Sequence, residues 1–245
     1  MAIDDDWCVS DVINEFDRFG ILSHNLPNAI GMWPNEQECL VWSAFQTNPN
    51  VNWLEIGAFC GGSAVLLALA KQQFMTTAQV ISIDNNFKTI FDFNVYQRGK
   101  FQDIVHKIEC NSMDLRQYYN DPVSFVFLDG FHSFRFVVKE FELLLPLMTD
   151  DCVIGFHDIS PNMWRHSAYV NSFSQDDLYY WMDDENENFR LDEAVSYICR
   201  THDFHIIDIP IRNPDETHFQ ETRLNEWKRG ETSPFNSYTA ITRNK

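Results

Sequence analysis

Asn52-Trp53-Leu54-Glu55-Ile56-Gly57-Ala58-Phe59-Cys60-Gly61-Gly62-Ser63 is the stretch that decides the fold. Its first half is a short apolar run closed by glycine, which predicts a strand. Its second half holds two more glycines and leads into Gly61 to Gln72, an Ala- and Leu-rich run that predicts a helix. Strand, glycine turn and helix, in that order, open a crossover unit. Glycines in such a turn allow close backbone approach to a ligand, and the helix start offers free N–H groups. The spacing is E-x-G-x-x-x-G-x-S rather than the G-x-G-x-x-G of a dehydrogenase, which disfavours a nicotinamide cofactor. Glu55 at the strand end suits a cationic group or an amine better than a pyrophosphate.

Outward from this unit the pattern repeats. Gln79 to Asp84 predicts a second strand, Ile104 to Cys110 a weaker third, Ser124 to Asp129 a fourth and Cys152 to Phe156 a fifth. Phe134 to Leu147 places Val137, Val138, Phe141, Leu144 and Leu145 at helical spacing and stops near Pro146. Phe204 to Ile209 and Tyr238 to Thr242 predict two late strands, a terminal hairpin with one antiparallel member. Strands that are apolar throughout and alternate with helices imply an α/β fold with a mostly parallel sheet. The first fifty residues read as helices ahead of the sheet, Glu36 to Phe45 among them. Ser160 to Asp203 is a long excursion, read as a lid or insertion or, given its acidic run at Asp183 to Glu187, as a solvated surface segment. Without repeats or a Pro/Gly-rich linker, residues 1–245 read as one domain.

Composition narrows the function. The chain has 245 residues, 44% hydrophobic and 15% aromatic, too apolar for disorder. With 36 acidic and 18 basic side chains, its formal charge of −18 disfavours broad contact with nucleic acid or an anionic membrane. The same charge favours a bound divalent cation. No stretch has the length and apolarity of a membrane span, and Met1 to Trp7 is acidic where a secretory signal would be basic. The six cysteines form no C-x-x-C pair, so reduced thiols and a cytoplasmic location are expected. The aromatic content leaves room for a homo-oligomer interface, and a core could equally absorb it.

Open parallel sheets bind ligands at the carboxyl ends of their strands, so the polar residues there are the candidates. Asp84 ends the second strand, where an acid accepts hydrogen bonds from both hydroxyls of a ribose. An ordinary tight turn and a helix cap are the plain alternatives. Together on consecutive strands, the glycine turn and Asp84 favour a nucleoside-type ligand. Asp129, His132, His157 and Asp158 follow the fourth and fifth strands and are placed to converge. Asp and His in such a group bind a divalent cation, Mg²⁺ or Mn²⁺. Alternatively His132 caps the helix near Ser133, His157 hydrogen-bonds within the sheet, and Asp158 caps a turn.

The run from Leu54 to Ser63, with Ile81 to Asn86 after it, resembles the class I S-adenosylmethionine-dependent methyltransferases. Phe125 to Phe134, Lys139 to Leu147 and Val153 to Ile159 are similar to a subgroup with the pattern D-G-x-H-x-Y, acidic helix, strand, H-D. That subgroup includes small-molecule and sugar O-methyltransferases, several of them magnesium-dependent. The likeness runs from about Glu36 to Ile159. It implies a Rossmann-like, doubly wound, mostly parallel seven-stranded sheet with a C-terminal antiparallel hairpin and N-terminal helices.

It also implies roles. Glu55, Gly57, Gly61 and Ser63 would cradle the methionine part of S-adenosylmethionine. Asp84 and Asn85 would hold the ribose, and Asn111, Ser112 and Met113 would lie against the adenine. Asp129 would also face the cofactor. Asp129 and Asp158 would bind Mg²⁺, with His157 or His132 as a further ligand or as general base, and Asp129, His132 and His157 would act on the hydroxyl of a small-molecule acceptor. Trp164, Arg165 and His166 read as substrate mouth or as plain surface loop. The sequence departs from the subgroup at Phe131, at Phe134 where tyrosine is usual, and at Asp150-Asp151 where a glycine pair precedes the fifth strand. The two phenylalanines imply a more apolar substrate pocket. Two other readings compete: a relative that assists a biosynthetic oxidation, and a non-catalytic S-adenosylmethionine-binding protein.

Overall fold

The computed structural model describes residues 5–20, 32, 34–131, 133–159, 191–209 and 238–244. Two helices lead, α1 (Asp5–Phe19) and α2 (Pro34–Phe45). The expected unit follows as β1 (Asn52–Ile56) and α3 (Gly62–Gln72). Next come β2 (Val80–Asp84), α4 (Thr89–Asp92) running into a π-helical turn (Phe93–Arg98), and β3 (Val105–Glu109). A 3₁₀ helix (Ser112–Gln117) leads to β4 (Val123–Leu128), α5 (Phe134–Leu144) and β5 (Met148–Phe156). After residues 160–190 come α6 (Leu191–His202), β6 (Phe204–Ile206) and, beyond 210–237, β7 (Thr239–Arg243).

The strands form one seven-stranded sheet in the order β3-β2-β1-β4-β5-β7-β6. β1 to β5 are parallel, and β7 runs antiparallel to both β5 and β6. This is the Rossmann-like α/β architecture expected, with the antiparallel strands at one edge. β4 is apolar on both faces because it lies at the centre, with every residue buried. β3 mixes apolar and polar residues because it is an edge strand, with Val105 and Ile108 buried and His106 and Glu109 exposed.

Each face of the sheet carries its own core. One holds Trp53, Phe125, Phe127 and Val153 against α1, α2 and α3, where Val12, Phe16, Leu40 and Val41 are buried. The other holds Ile56, Ile83, Val126 and Ile154 against α5 and α6, through Phe141, Leu144, Ala194 and Ile198. α3 is Ala- and Leu-rich because it is sandwiched, with Gly62 to Lys71 all buried. Lys71 donates from Nζ to the Val51 carbonyl at 2.7 Å and lies 4.0 Å over the Trp53 ring, pinning the end of α3 to the start of β1.

Several boundaries differ from expectation. β5 starts at Met148, so Asp150 and Asp151 are exposed residues inside the strand rather than a turn before it. The β4–β5 register shifts between Val123 and Phe125, which accommodates the longer start. β6 stops at Ile206 rather than Ile209. Residues 191–202 of the expected excursion are a core helix, α6, packed beside α5. The remainder, with Trp164, Arg165, His166 and the acidic run, lies outside the described residues.

Candidate active site

Register builds the site. Ile83, Ile56, Leu128 and Phe156 pair in one row across β2, β1, β4 and β5. The next residue on each strand is Asp84, Gly57, Asp129 and His157, a polar row at the carboxyl ends. Backbone bonds hold it: Gly57 N–H to the Ile83 carbonyl at 2.9 Å, Asp129 N–H to Ile56 at 2.9 Å, and His157 N–H to Leu128 at 3.2 Å.

The glycines answer first to the protein's own packing. A Cβ on Gly57, whose φ is +95°, would stand 2.0 Å from the Asp129 carbonyl oxygen. A Cβ on Gly61, with φ +81°, would meet Val95 and Phe91. Between them Phe59 takes a positive φ of 42°, uncommon for an aromatic residue, and its side chain is exposed. Its N–H donates to Asp84 Oδ2 at 2.8 Å, and Asn86 N–H donates to Oδ1 at 2.8 Å. Asp84 therefore ties the glycine turn to the loop after β2. Asn85 sits within that loop, exposed.

Glu55 is buried beneath the turn. The Ser82 hydroxyl donates to its Oε1 at 2.5 Å. Oε2 has no hydrogen-bond partner among the described residues. Burial pushes the carboxyl up to about 7 against the pull of the Ser63 and Ser82 hydroxyls, with the charges of Asp129 and Asp84 adding to the rise. Ser63 stands in the first turn of α3, whose N-cap, Gly61, supplies no side-chain cap. Asn111 caps the 3₁₀ helix by accepting from Met113 N–H at 3.0 Å. Ser112 donates to Glu140 Oε1 at 2.6 Å, and burial pushes Glu140 up to about 7.

Asp129, His157 and Asp158 come together, offering one ligand atom each within 4.8 Å of one another. His157 Nδ1 is 2.9 Å from Asp129 Oδ1 and 3.5 Å from Asp158 Oδ1. Asp158 holds a positive φ of 58°, a conformation aspartate tolerates better than most residues. Burial alone would lower the His157 pKa. The Asp129 charge and hydrogen bond, the Glu36 hydrogen bond and the Asp158 charge outweigh it and hold the ring well above the usual histidine range. In that state the ring donates from Nδ1 to Asp129 and from Nε2 to Glu36; a cation held by Nδ1 would take the place of the Nδ1 proton.

Glu36 is the residue that the sequence reading missed. Its Oε2 lies 3.1 Å from His157 Nε2, across 121 positions of sequence. One signal was available: spacing by four puts Glu36 on the same helical stripe as Leu40 and Ala44, an acid on a core face. His132 lies outside the described residues, and the cap it was considered for is made by Ser133, whose hydroxyl accepts from Phe136 N–H at 3.2 Å. Among the described residues no helix is long and apolar enough to cross a membrane. Cys110, Cys152 and Cys199 are free thiols.

Residues 54–159, from the middle of β1 to just past Asp158, match a family model described as a methyltransferase domain. Over that stretch the chain is similar to a methyltransferase domain. No curated protein sequence matches the chain. Among solved structures, the chain is similar in fold to the SAH-bound methyltransferase PaMTH1 of Podospora anserina. That pair shares 13% identity, with TM-score 0.57, covering 98% of this chain and 88% of that one. An O-methyltransferase from Bacillus cereus in complex with SAH gives 14% identity and TM-score 0.56, covering 100% and 93%. The O-methyltransferase TomG of Streptomyces achromogenes, in complex with SAM, gives 13% and 0.56 over 100% and 93%. At such identities the likeness extends to the fold alone. The matched residues include the glycine turn, Asp84 and the Asp129–His157–Asp158 group.

Proposed function

We propose that the chain works as a single catalytic domain, an S-adenosylmethionine-dependent O-methyltransferase acting on a small-molecule hydroxyl with help from a divalent cation. The observation that carries this reading is the polar row at the strand ends, with Asp84 two strands away from Asp129 and three from His157. The B. cereus and S. achromogenes O-methyltransferases support it, since they hold SAH and SAM on the same fold.

The residues fit the cofactor. Glu55 offers a buried acceptor, Oε2, beside the uncapped start of α3. A cationic group placed there restores the charged carboxylate that burial disfavours. Each Asp84 oxygen accepts one backbone N–H and keeps a further lone pair for a ribose hydroxyl. Gly57, Gly61 and Ser63 shape the turn around the methionine part, and Asn85 borders the ribose. Asn111 and Ser112 are held by internal hydrogen bonds, so the adenine end of the pocket is built by a rigid loop ending in Met113.

The cation fits as well. Neighbouring ligands on an octahedral Mg²⁺ lie about 3 Å apart, from bonds of about 2.1 Å. Nδ1 of His157 stands 2.9 and 3.5 Å from the Asp129 and Asp158 oxygens. Asp129, Asp158 and His157 would hold it, with His132 the expected further ligand or base.

When bound, S-adenosylmethionine supplies a methyl group on a positively charged sulfur, and a divalent cation lowers the pKa of a hydroxyl in contact with it. The chain's part is to place the oxygen and take its proton. Asp129 is the cluster member most open to solvent, its side chain 20% exposed against 3% for His157. It accepts the hydrogen bond of the acceptor hydroxyl. His157, fixed behind it, orients that carboxylate.

Calorimetric titration with S-adenosylmethionine, first on metal-stripped protein and then with Mg²⁺, tests the reading. Binding is expected in both, weakened at least tenfold by Asp84→Ala, with a separate Mg²⁺ heat. No binding under either condition overturns it.

A further inference from the structure

We propose that Glu36 is a positioning residue for the cation site, holding the His157 ring so that Nδ1 is turned toward Asp129 and Asp158. The inference rests on the metal-assisted reading above and deepens it. It also ties the helix ahead of the sheet to the chemistry at the strand ends.

An imidazole that ligates through one nitrogen carries a proton on the other, and that N–H needs an acceptor. The structure divides the His157 ring in this way. Nε2 meets Glu36 Oε2 at 3.1 Å on the α2 side, and Nδ1 meets the Asp129 and Asp158 oxygens at 2.9 and 3.5 Å on the other. Glu36 is fully buried and His157 nearly so. A carboxylate on the core stripe of α2 is costly unless a charged or hydrogen-bonded partner compensates it. His157 is that partner, and the reciprocal effect is a ring that cannot flip without abandoning both carboxylates. α2 packs against β4 and β5, the strands that carry Asp129 and His157, so the acceptor and the ring move as one body.

The test uses the full chain with Mn²⁺ as the probe cation and compares Glu36→Gln with Glu36→Ala. Glutamine keeps a carbonyl acceptor for Nε2–H and is expected to bind Mn²⁺ within about threefold of the natural protein. Alanine removes the acceptor and is expected to weaken Mn²⁺ about 10- to 100-fold. Proton–nitrogen NMR of ¹⁵N-histidine-labelled protein, without cation, supplies a readout that packing alone would not move. The Nε2–H signal of His157 is expected in the natural protein and in Glu36→Gln, and is expected to vanish in Glu36→Ala. Glu36→Leu fills the space without an acceptor and carries the test if the alanine variant does not fold. Tight Mn²⁺ binding and an unchanged Nε2–H signal without an acceptor at position 36 would overturn the role of Glu36 alone. A natural protein that binds no Mn²⁺ would overturn the cation reading, and this role with it.

Discussion

Gly57 and Asp129 stand so close that a Cβ on the first would lie 2.0 Å from the carbonyl oxygen of the second. The glycine turn after β1 and the end of β4 thus share one backbone contact. The contact demands glycine twice, through its spacing and through a φ of +95°. Gly57→Ala is expected to cost at least about 2 kcal/mol of stability and to push Asp129 out of its row. A fall in denaturant midpoint at unchanged slope checks the first part, and a loss of methyl transfer at saturating S-adenosylmethionine checks the second.

In the proposed reading, Asp129 joins the cation group to the acceptor hydroxyl. Asp129→Ala is expected to abolish methyl transfer while leaving S-adenosylmethionine affinity nearly intact, because Asp84 and Glu55 remain in place. Turnover and calorimetry on the same preparation separate the two. Unchanged turnover would remove Asp129 from the mechanism.

Chelation tests the cation without mutation. Exhaustive EDTA treatment is expected to suppress turnover by at least tenfold, with recovery on adding Mg²⁺ or Mn²⁺. Folding measured by circular dichroism should not change, since the two cores of the sheet contain no proposed ligand. Full activity after chelation would return the cluster to a metal-free role.

Glu140 makes a prediction about pH. It is buried, its Oε2 has no hydrogen-bond partner among the described residues, and burial raises its carboxyl to about 7. The folded state then keeps a proton that the unfolded chain releases near 4.5. The sign follows: the contribution of Glu140 to stability is fully present below 4.5 and is lost as pH rises to about 7, by an amount on the order of 3 kcal/mol. Glu140→Gln keeps an acceptor for the Ser112 hydroxyl and should flatten this slope in urea melts between pH 5 and about 8. An identical slope in both proteins would exclude Glu140 as its source.

Phe141 marks the seam between the crossover helix and the late strands. It is fully buried, with its ring 5.3 Å from Phe204 and 4.9 Å from His202. Phe141→Ala is expected to cost about 3–5 kcal/mol by transfer and cavity terms. Chemical denaturation measures it, and a loss under about 1 kcal/mol would mean that α6 and β6 collapse onto the gap.

Legibility in the sequence followed the locality of each signal. β1, β2 and β4 were readable because Trp53 to Ile56, Val80 to Ile83 and Val123 to Leu128 are buried strands, and continuous apolarity is what such strands require. β3 was faint because its edge position leaves His106 and Glu109 in water. The start of β5 was misplaced because Asp150 and Asp151 look like a turn, while a strand end outside the core tolerates them. Asp84, Asp129, His157 and Asp158 were legible because each closes an apolar run. Glu36 was not, because its partner lies 121 positions away and no local pattern announces it. The order of the last two strands was equally hidden, since either could lie against β5.

That order has a consequence for how the molecule is made. β7 is synthesised after β6, yet it lies between β6 and β5. β6 therefore has no sheet to join while it leaves the ribosome, and β5 waits with one open edge for a strand more than eighty residues downstream of its end. During that interval the nascent chain carries an apolar, unpaired edge of the kind that recruits other strands. Loss of Thr239 to Arg243 would strand β6 and leave β5 open permanently, so premature termination just upstream should yield inclusion bodies rather than a smaller enzyme.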